Sequence, residues 1–198
     1  MNLQIQSETG TKYDPVFLKI IEDIPGGVTV KTNRFPTATT EIKKGALLNA
    51  SASSVGLYNI IKTVKLTAAH ASATTILLVE APHLFKVGEY IKLGVAAITI
   101  SRVSATNIAL ETIGAYADIA SGSVIAEASA AVAAAAAVKY SADAILRDTV
   151  EVRRGGVTTL LDNIFAGAVV RGTVDESELP YFVTSADKTA LTARIRFA

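Results

Sequence analysis

The sequence predicts a mainly β protein with little helix, and three observations predict it. Short runs of alternating apolar and polar residues recur at a spacing of roughly eight to twelve residues, separated by Gly, Pro and Asn turn signals. Half of the residues are hydrophobic, and beyond alanine that half is dominated by Val, Ile and Leu, which with Thr favour strands. The best helix by intrinsic propensity, Glu127 to Val138, is almost all alanine and carries few large side chains with which to dock.

Taken in order, residues 1–12 read as a flexible, polar arm that contains the alternation Leu3-x-Ile5. Tyr13-Asp14-Pro15 marks a turn, because the residue before proline is pushed away from helix. Phe17 to Ile24 fits a strand or a short helix, and periodicity leaves both open. Pro25-Gly26-Gly27 ends it, and Val28 to Thr32 alternates like a strand. Ile42 to Leu48 reads as strand with a turn inside, and Tyr58-x-Ile60 and Val64-x-Leu66 keep the period of two.

The strand signal is densest from 64 to 127. Thr74 to Val79 reads as a buried strand, Glu89 to Leu93 follows the turn Lys86-Val87-Gly88, and Ala97 to Val103 and Asn107 to Thr112 alternate. This spacing predicts a small barrel or sandwich inserted into a second β unit made of residues 13–63 and 128–198. The alanine run between them fits either a short helix or an extended connector pressed against another surface, since small side chains permit close backbone approach. Asp148 to Arg154 alternates ahead of the turn Gly155-Gly156, and Ala166 to Arg171 reads as a central strand. Ser185 to Lys188 supplies caps for a short helix from Thr189 to Ala193, and Ile195 to Phe197 ends the chain as a strand.

Composition excludes several classes of function. With 19 basic and 18 acidic residues and no block of like charge long enough to act as an arm, the chain lacks the clustered cations that nucleic acid or an anionic membrane surface requires. It has no cysteine, so disulfide and thiolate chemistry are absent. The longest apolar stretch, Ala130 to Val138, is far shorter than the roughly 20 residues of a spanning helix. Met1 to Glu8 lacks the basic and apolar regions of a secretory signal.

Nor do the candidate chemical groups assemble into a site. His70 and His83 have no acidic or histidine neighbour at ligand spacing, whereas zinc takes three or four such ligands; they read as turn or surface residues. Asp175, Glu176 and Glu178 lie in one loop before Pro180 without the spacing of a calcium loop, and read as a solvated turn. Arg153-Arg154 beside Gly155-Gly156 is not followed by the sequence of a phosphate-binding loop. No Gly-x-Ser-x-Gly elbow is present. Tyr58, Tyr181 and Phe182 read as core or interface anchors, because no basic stripe accompanies them. The expectation is therefore a protein without catalysis, metal or cofactor.

The last third carries a resemblance. Asp143-Ala144-Ile145-Leu146 is followed by an apolar strand and then by Arg171-Gly172-Thr173-Val174-Asp175, with Glu176-Ser177-Glu178-Leu179-Pro180 beyond it. This order of pieces resembles the β-rich head decoration and head-fibre proteins of tailed bacteriophages and prophages. The resemblance implies a structural virion protein, assembled in the bacterial cytoplasm, that binds the outside of the major capsid protein shell as a symmetric homo-oligomer, often a trimer. It implies a capsid or subunit contact for Arg171, Asp175, Glu176, Tyr181 and Phe182, and for Leu3 and Ile5 through strand addition by the arm. The long middle region departs from a minimal decoration protein and favours the head-fibre variant, with an extra domain projecting outward. A host-surface or carbohydrate-binding β module is the second reading. Six Tyr and six Phe without Trp make its aromatic platform thin. A hydrolase would require His70 or His83 to meet Asp or Glu in the fold.

Overall fold

The computed structural model describes residues 16–52, 54–72, 74–111, 118–132, 134–153 and 163–198. Along the chain run β1 (Phe17–Asp23), β2 (Val28–Lys31), β3 (Glu41–Ile42), β4 (Leu47–Ala50), β5 (Leu57–Ile60), β6 (Thr63–Lys65), β7 (Ile76–Leu78) and β8 (Tyr90–Leu93). There follow β9 (Ala96–Val103), β10 (Asn107–Leu110), β11 (Val124–Ala126), β12 (Ala144–Leu146), β13 (Val150–Glu151), β14 (Asn163–Ala166) and β15 (Ala168–Val174). A 3-10 turn (Glu176–Glu178), α1 (Ser185–Leu191) and β16 (Ile195–Phe197) complete it. The protein is mainly β, as its alternation predicts.

The first unit is a curled eight-stranded sheet in the order β1-β15-β12-β4-β5-β2-β14, with β16 pairing β15 in parallel. Its strands come from before and after the middle of the chain, so the two ends must fold together. Val28 and Val30 of β2 point inward and join Leu48, Ile60, Leu146 and Ile164 in one apolar cluster. A second cluster on the sheet gathers Phe17, Leu47, Ile145, Val169, Leu191 and Ile195. Gly45 makes the turn that separates β3 from β4: its φ is +89°, and a Cβ there would sit 2.9 Å from both Leu179 and Pro180.

The second unit is a barrel. Four strands pair in the order β7-β10-β9-β8, and β11 pairs β6. Two bridges join these ladders: Leu66 to Val79 links the β6 side to the β7 side, and Ile91 to Glu127 links β8 to the end of β11. The ring therefore runs β6-β7-β10-β9-β8-β11 and back to β6. Closure satisfies the backbone groups that an open edge leaves unpaired. Its interior is filled by Leu66, Leu77, Phe85, Ile91, Leu93, Ile100 and Ile108.

Three details differ from the sequence reading. Within the run Thr74 to Val79, β7 covers Ile76–Leu78, and Leu77 and Val79 are buried while Ile76 and Leu78 point to the outer face of the barrel wall. The run into Arg171 is split by Gly167 into β14 and β15. A Cβ on Gly167 would lie 2.8 Å from the Asp148 carboxylate and 3.0 Å from the Arg147 guanidinium, the ends of two exposed side chains that would have to shift. α1 starts at Ser185 rather than Thr189, so the expected cap residues 185–188 form its first turn, and the cap is Thr184, whose hydroxyl accepts from the Asp187 amide at 3.1 Å.

The alanine run contains no helix among its described residues. Its two ends pair with each other, Ala128 bridging Val138 and Ser129 donating to the Ala137 carbonyl at 3.1 Å. It also pairs with the β8–β9 hairpin, where Ala97 and Val132 exchange backbone hydrogen bonds of 2.8 and 3.1 Å and Ala136 donates to the Val95 carbonyl at 2.8 Å. Ala97, Ala128 and Ala136 are buried together against Tyr90. Helix propensity loses here to backbone pairing, which small side chains allow at close range.

Candidate interaction surface and the buried charge cluster

Among the described residues no group of three or more His, Asp or Glu side chains is placed to hold a metal ion. Both histidines are engaged within the fold, and His70 is not the surface residue that its sequence context suggests. His70 is buried, exchanges backbone hydrogen bonds with Ile119, and has Nδ1 3.1 Å from the Thr74 hydroxyl. Nε2 of His83 lies 2.8 Å from the Ser104 carbonyl, so it carries the proton, and Nδ1 is left buried with no partner among the described residues. Burial holds both imidazoles below their ordinary pKa of 6.5, because a charged ring would lose its hydration. Asp118, the carboxylate that acts on His70, accepts the Ser72 amide at 2.8 Å.

The residues that sequence singles out as contacts are scattered. Leu3 and Ile5 lie outside the described residues. Arg171 is exposed on β15, opposite Glu22 of β1. Asp175 is turned into its own loop, where it accepts from the Ser177 amide at 3.0 Å and hydroxyl at 2.7 Å. Glu176 pairs with Lys188 of α1 at 2.6 Å. Tyr181 is 6% exposed and belongs to the core of the first unit; burial pushes its hydroxyl up to about 12. The Phe182 carbonyl accepts from the Thr63 hydroxyl at 2.5 Å and its ring lies 5.3 Å from the Lys65 ammonium, so Phe182 ties the sheet to the barrel.

Sequence reasoning misses two features. The first is the apolar edge at β1. After Phe17 the strand exposes both faces: Leu18 and Ile20 are 44% exposed and Ile21 57%. Three register shifts interrupt its pairing with β15, and Gly172 is required there because a Cβ would collide with the Lys19 carbonyl. The run of large aliphatics was visible in the sequence, but their exposure depends on the bulges, which have no simple signature.

The second is a set of buried charges where the chain enters and leaves the barrel. Lys62, whose side chain has no exposed surface, donates to Glu89 Oε1 at 2.5 Å and to the Arg34 carbonyl. Glu127, 2% exposed at its side chain, is shared: Oε2 pairs with Arg34 and Oε1 with Lys139 at 2.7 Å. Glu89 Oε2 also accepts the Lys86 amide at 2.9 Å, and the Arg34 guanidinium stacks 4.7 Å over Tyr140. Burial lowers the Lys62 ammonium to about 8, against the pull of Glu89 and Glu127 in the other direction. The five residues are far apart in sequence, so no spacing announces them.

No helix among the described residues is long and apolar enough to cross a membrane. Comparison of the chain with family models, with curated proteins and with solved structures finds no match.

Proposed function

We propose that this chain is a structural virion protein, a head decoration or head-fibre subunit that binds the outer surface of a tailed-phage capsid and has no catalytic activity of its own. The observation that carries the reading is β1. An edge strand that exposes three large aliphatic side chains within four residues is costly in a solitary molecule, and such patches mark interaction surfaces. Its bulges twist the edge away from simple ladder extension, so the contact is made by side chains. Three copies around a symmetry axis would bury Leu18, Ile20 and Ile21 against one another, which fits a homotrimer. The closed barrel suits a projecting module, because closure leaves no edge open to misassociation. Mass action then stabilises the shell: each bound subunit favours the assembled state.

The test is co-sedimentation with purified heads of the phage that encodes the chain. Saturable binding is the expected result, and recovery of all the protein in the supernatant would overturn the reading.

A second reading, a host-surface or carbohydrate-binding module, is favoured by one feature. Ile76, Leu78, Ala109, Arg102, Ser104 and Asn107 line a trough of about 440 Å³ on the barrel's outer wall. An apolar floor flanked by a guanidinium and an amide suits a sugar ring. Glycan-array binding lost on Arg102→Ala would support it.

A further inference from the structure

The junction between sheet and barrel is built in an unusual way. Apolar packing fixes it poorly. Leu84 is the member of the first core cluster that comes from the barrel segment, and a single peg fixes a point rather than an angle. Beside the barrel hairpin the contact is made by Ala97, Ala128 and Ala136 against Tyr90, and the three methyl groups supply little interlocking shape. Dispersion and the hydrophobic effect are non-directional, so such a surface tolerates sliding.

The charges at the same junction are directional. Each carboxylate is divided between two partners from different segments: Glu127 between Arg34 and Lys139, Glu89 between Lys62 and the Lys86 amide. Lys62 is itself divided between Glu89 of the barrel and the Arg34 carbonyl of the sheet unit. Lys86 adds a bond of 3.2 Å to the Asn33 carbonyl. Rotation of the barrel about Leu84 would break several of these bonds at once and strand buried charge, which is costly.

The cluster is also not built for stability. It holds three cations and two carboxylates, and Arg34 Nη1 is buried with no partner among the described residues. Buried ion groups in general return little net stability over apolar replacements of similar volume.

We infer that the cluster of Arg34, Lys62, Glu89, Glu127 and Lys139 is an orientation lock, which holds the barrel at one angle to the eight-stranded sheet without adding net stability. The inference stands apart from the virion reading, since it concerns the geometry of one chain.

The chain has no cysteine, so spin labels can be placed at will. Val55→Cys on the β4–β5 turn and Ala105→Cys on the β9–β10 turn label the two units at exposed sites. The interspin distance distribution is measured by pulsed electron resonance in three backgrounds: unaltered, Glu127→Gln, and the combined Arg34→Met, Lys62→Met, Glu89→Leu, Glu127→Leu and Lys139→Met variant. The unaltered chain is expected to give one narrow distribution, and both variants one roughly twofold broader or more, with the melting temperature of the combined variant unchanged or raised. Glu127→Gln keeps size and shape, so it decides the question alone if the combined variant does not fold. An equally narrow distribution in the folded variants would overturn the lock. A broad distribution in the unaltered chain, or a combined variant that folds but melts well below it, would overturn it too.

Discussion

Lys62 lies 2.5 Å from Glu89 with its side chain fully removed from solvent, and the pair joins the strand that enters the barrel to the turn before β8. The ammonium nevertheless sits at about 8 rather than 10.5, so loss of hydration outweighs both carboxylates.

The consequence for stability has a definite sign. The folded value is below the unfolded one, so between about pH 8 and 10.5 the unfolded chain binds more protons and stability rises with pH. The penalty is fully present below pH 8 and corresponds to about 3 kcal/mol, at about 1.4 kcal/mol per pKa unit. In urea unfolding, the unaltered chain should therefore gain stability relative to a Lys62→Met, Glu89→Leu pair between pH 7.5 and pH 10. A difference independent of pH would refute the buried-ammonium interpretation.

Acid acts on the histidines. Both imidazoles are held below 6.5, so their contribution is complete above that pH and is lost as pH falls through the lower folded values. Protonating His83 also places a second N–H at the buried Nδ1, which has no acceptor among the described residues. His83→Gln is expected to flatten the fall in melting temperature below pH 6. An identical acid limb in the variant would show that His83 is not the group responsible.

Gly172→Ala tests the seating of β1. The added methyl meets the Lys19 carbonyl, and neither backbone can yield without loss of the β1–β15 pairing. A loss of about 1 to 3 kcal/mol is expected in denaturant unfolding. Gly26→Ala is the control for close approach, since a Cβ there meets nothing within 4 Å and the only cost is its φ of +78°.

Substitutions on the apolar edge should separate folding from association. Ile20→Lys and Ile21→Lys remove exposed side chains, so each is expected to change stability by less than about 0.5 kcal/mol. The same changes are expected to abolish self-association and binding to phage heads. Retained binding would place the contact elsewhere.

The limits of the sequence have physical causes. Alternation in Val28 to Thr32 and Ala97 to Val103 reports a strand with one face buried; β2 is such a strand, whereas the start of β9 is buried on both faces because Ala97 packs against Ala128 and Ala136. The alanine run is ambiguous because propensity and close packing compete, and backbone pairing to Val95 and Ala97 decides between them. Tyr181 and Phe182 are legible as anchors because aromatics are rarely left idle, yet nothing local says that one enters the core and the other clasps the barrel. Asp175 and Glu176 read as solvated charges, but Ser177 and Lys188 take them up. The charge cluster joins Arg34 to Glu127 across 93 positions, and only the fold brings such residues together.

The most direct measurement is the solution mass by light scattering on a sizing column, for the unaltered chain and for Ile20→Lys. The chain is 20.7 kDa, and the expected mass is about 62 kDa for a trimer that falls to the monomer value in the variant. A monomer at every concentration, or a trimer indifferent to Ile20→Lys, would contradict assembly through the β1 edge.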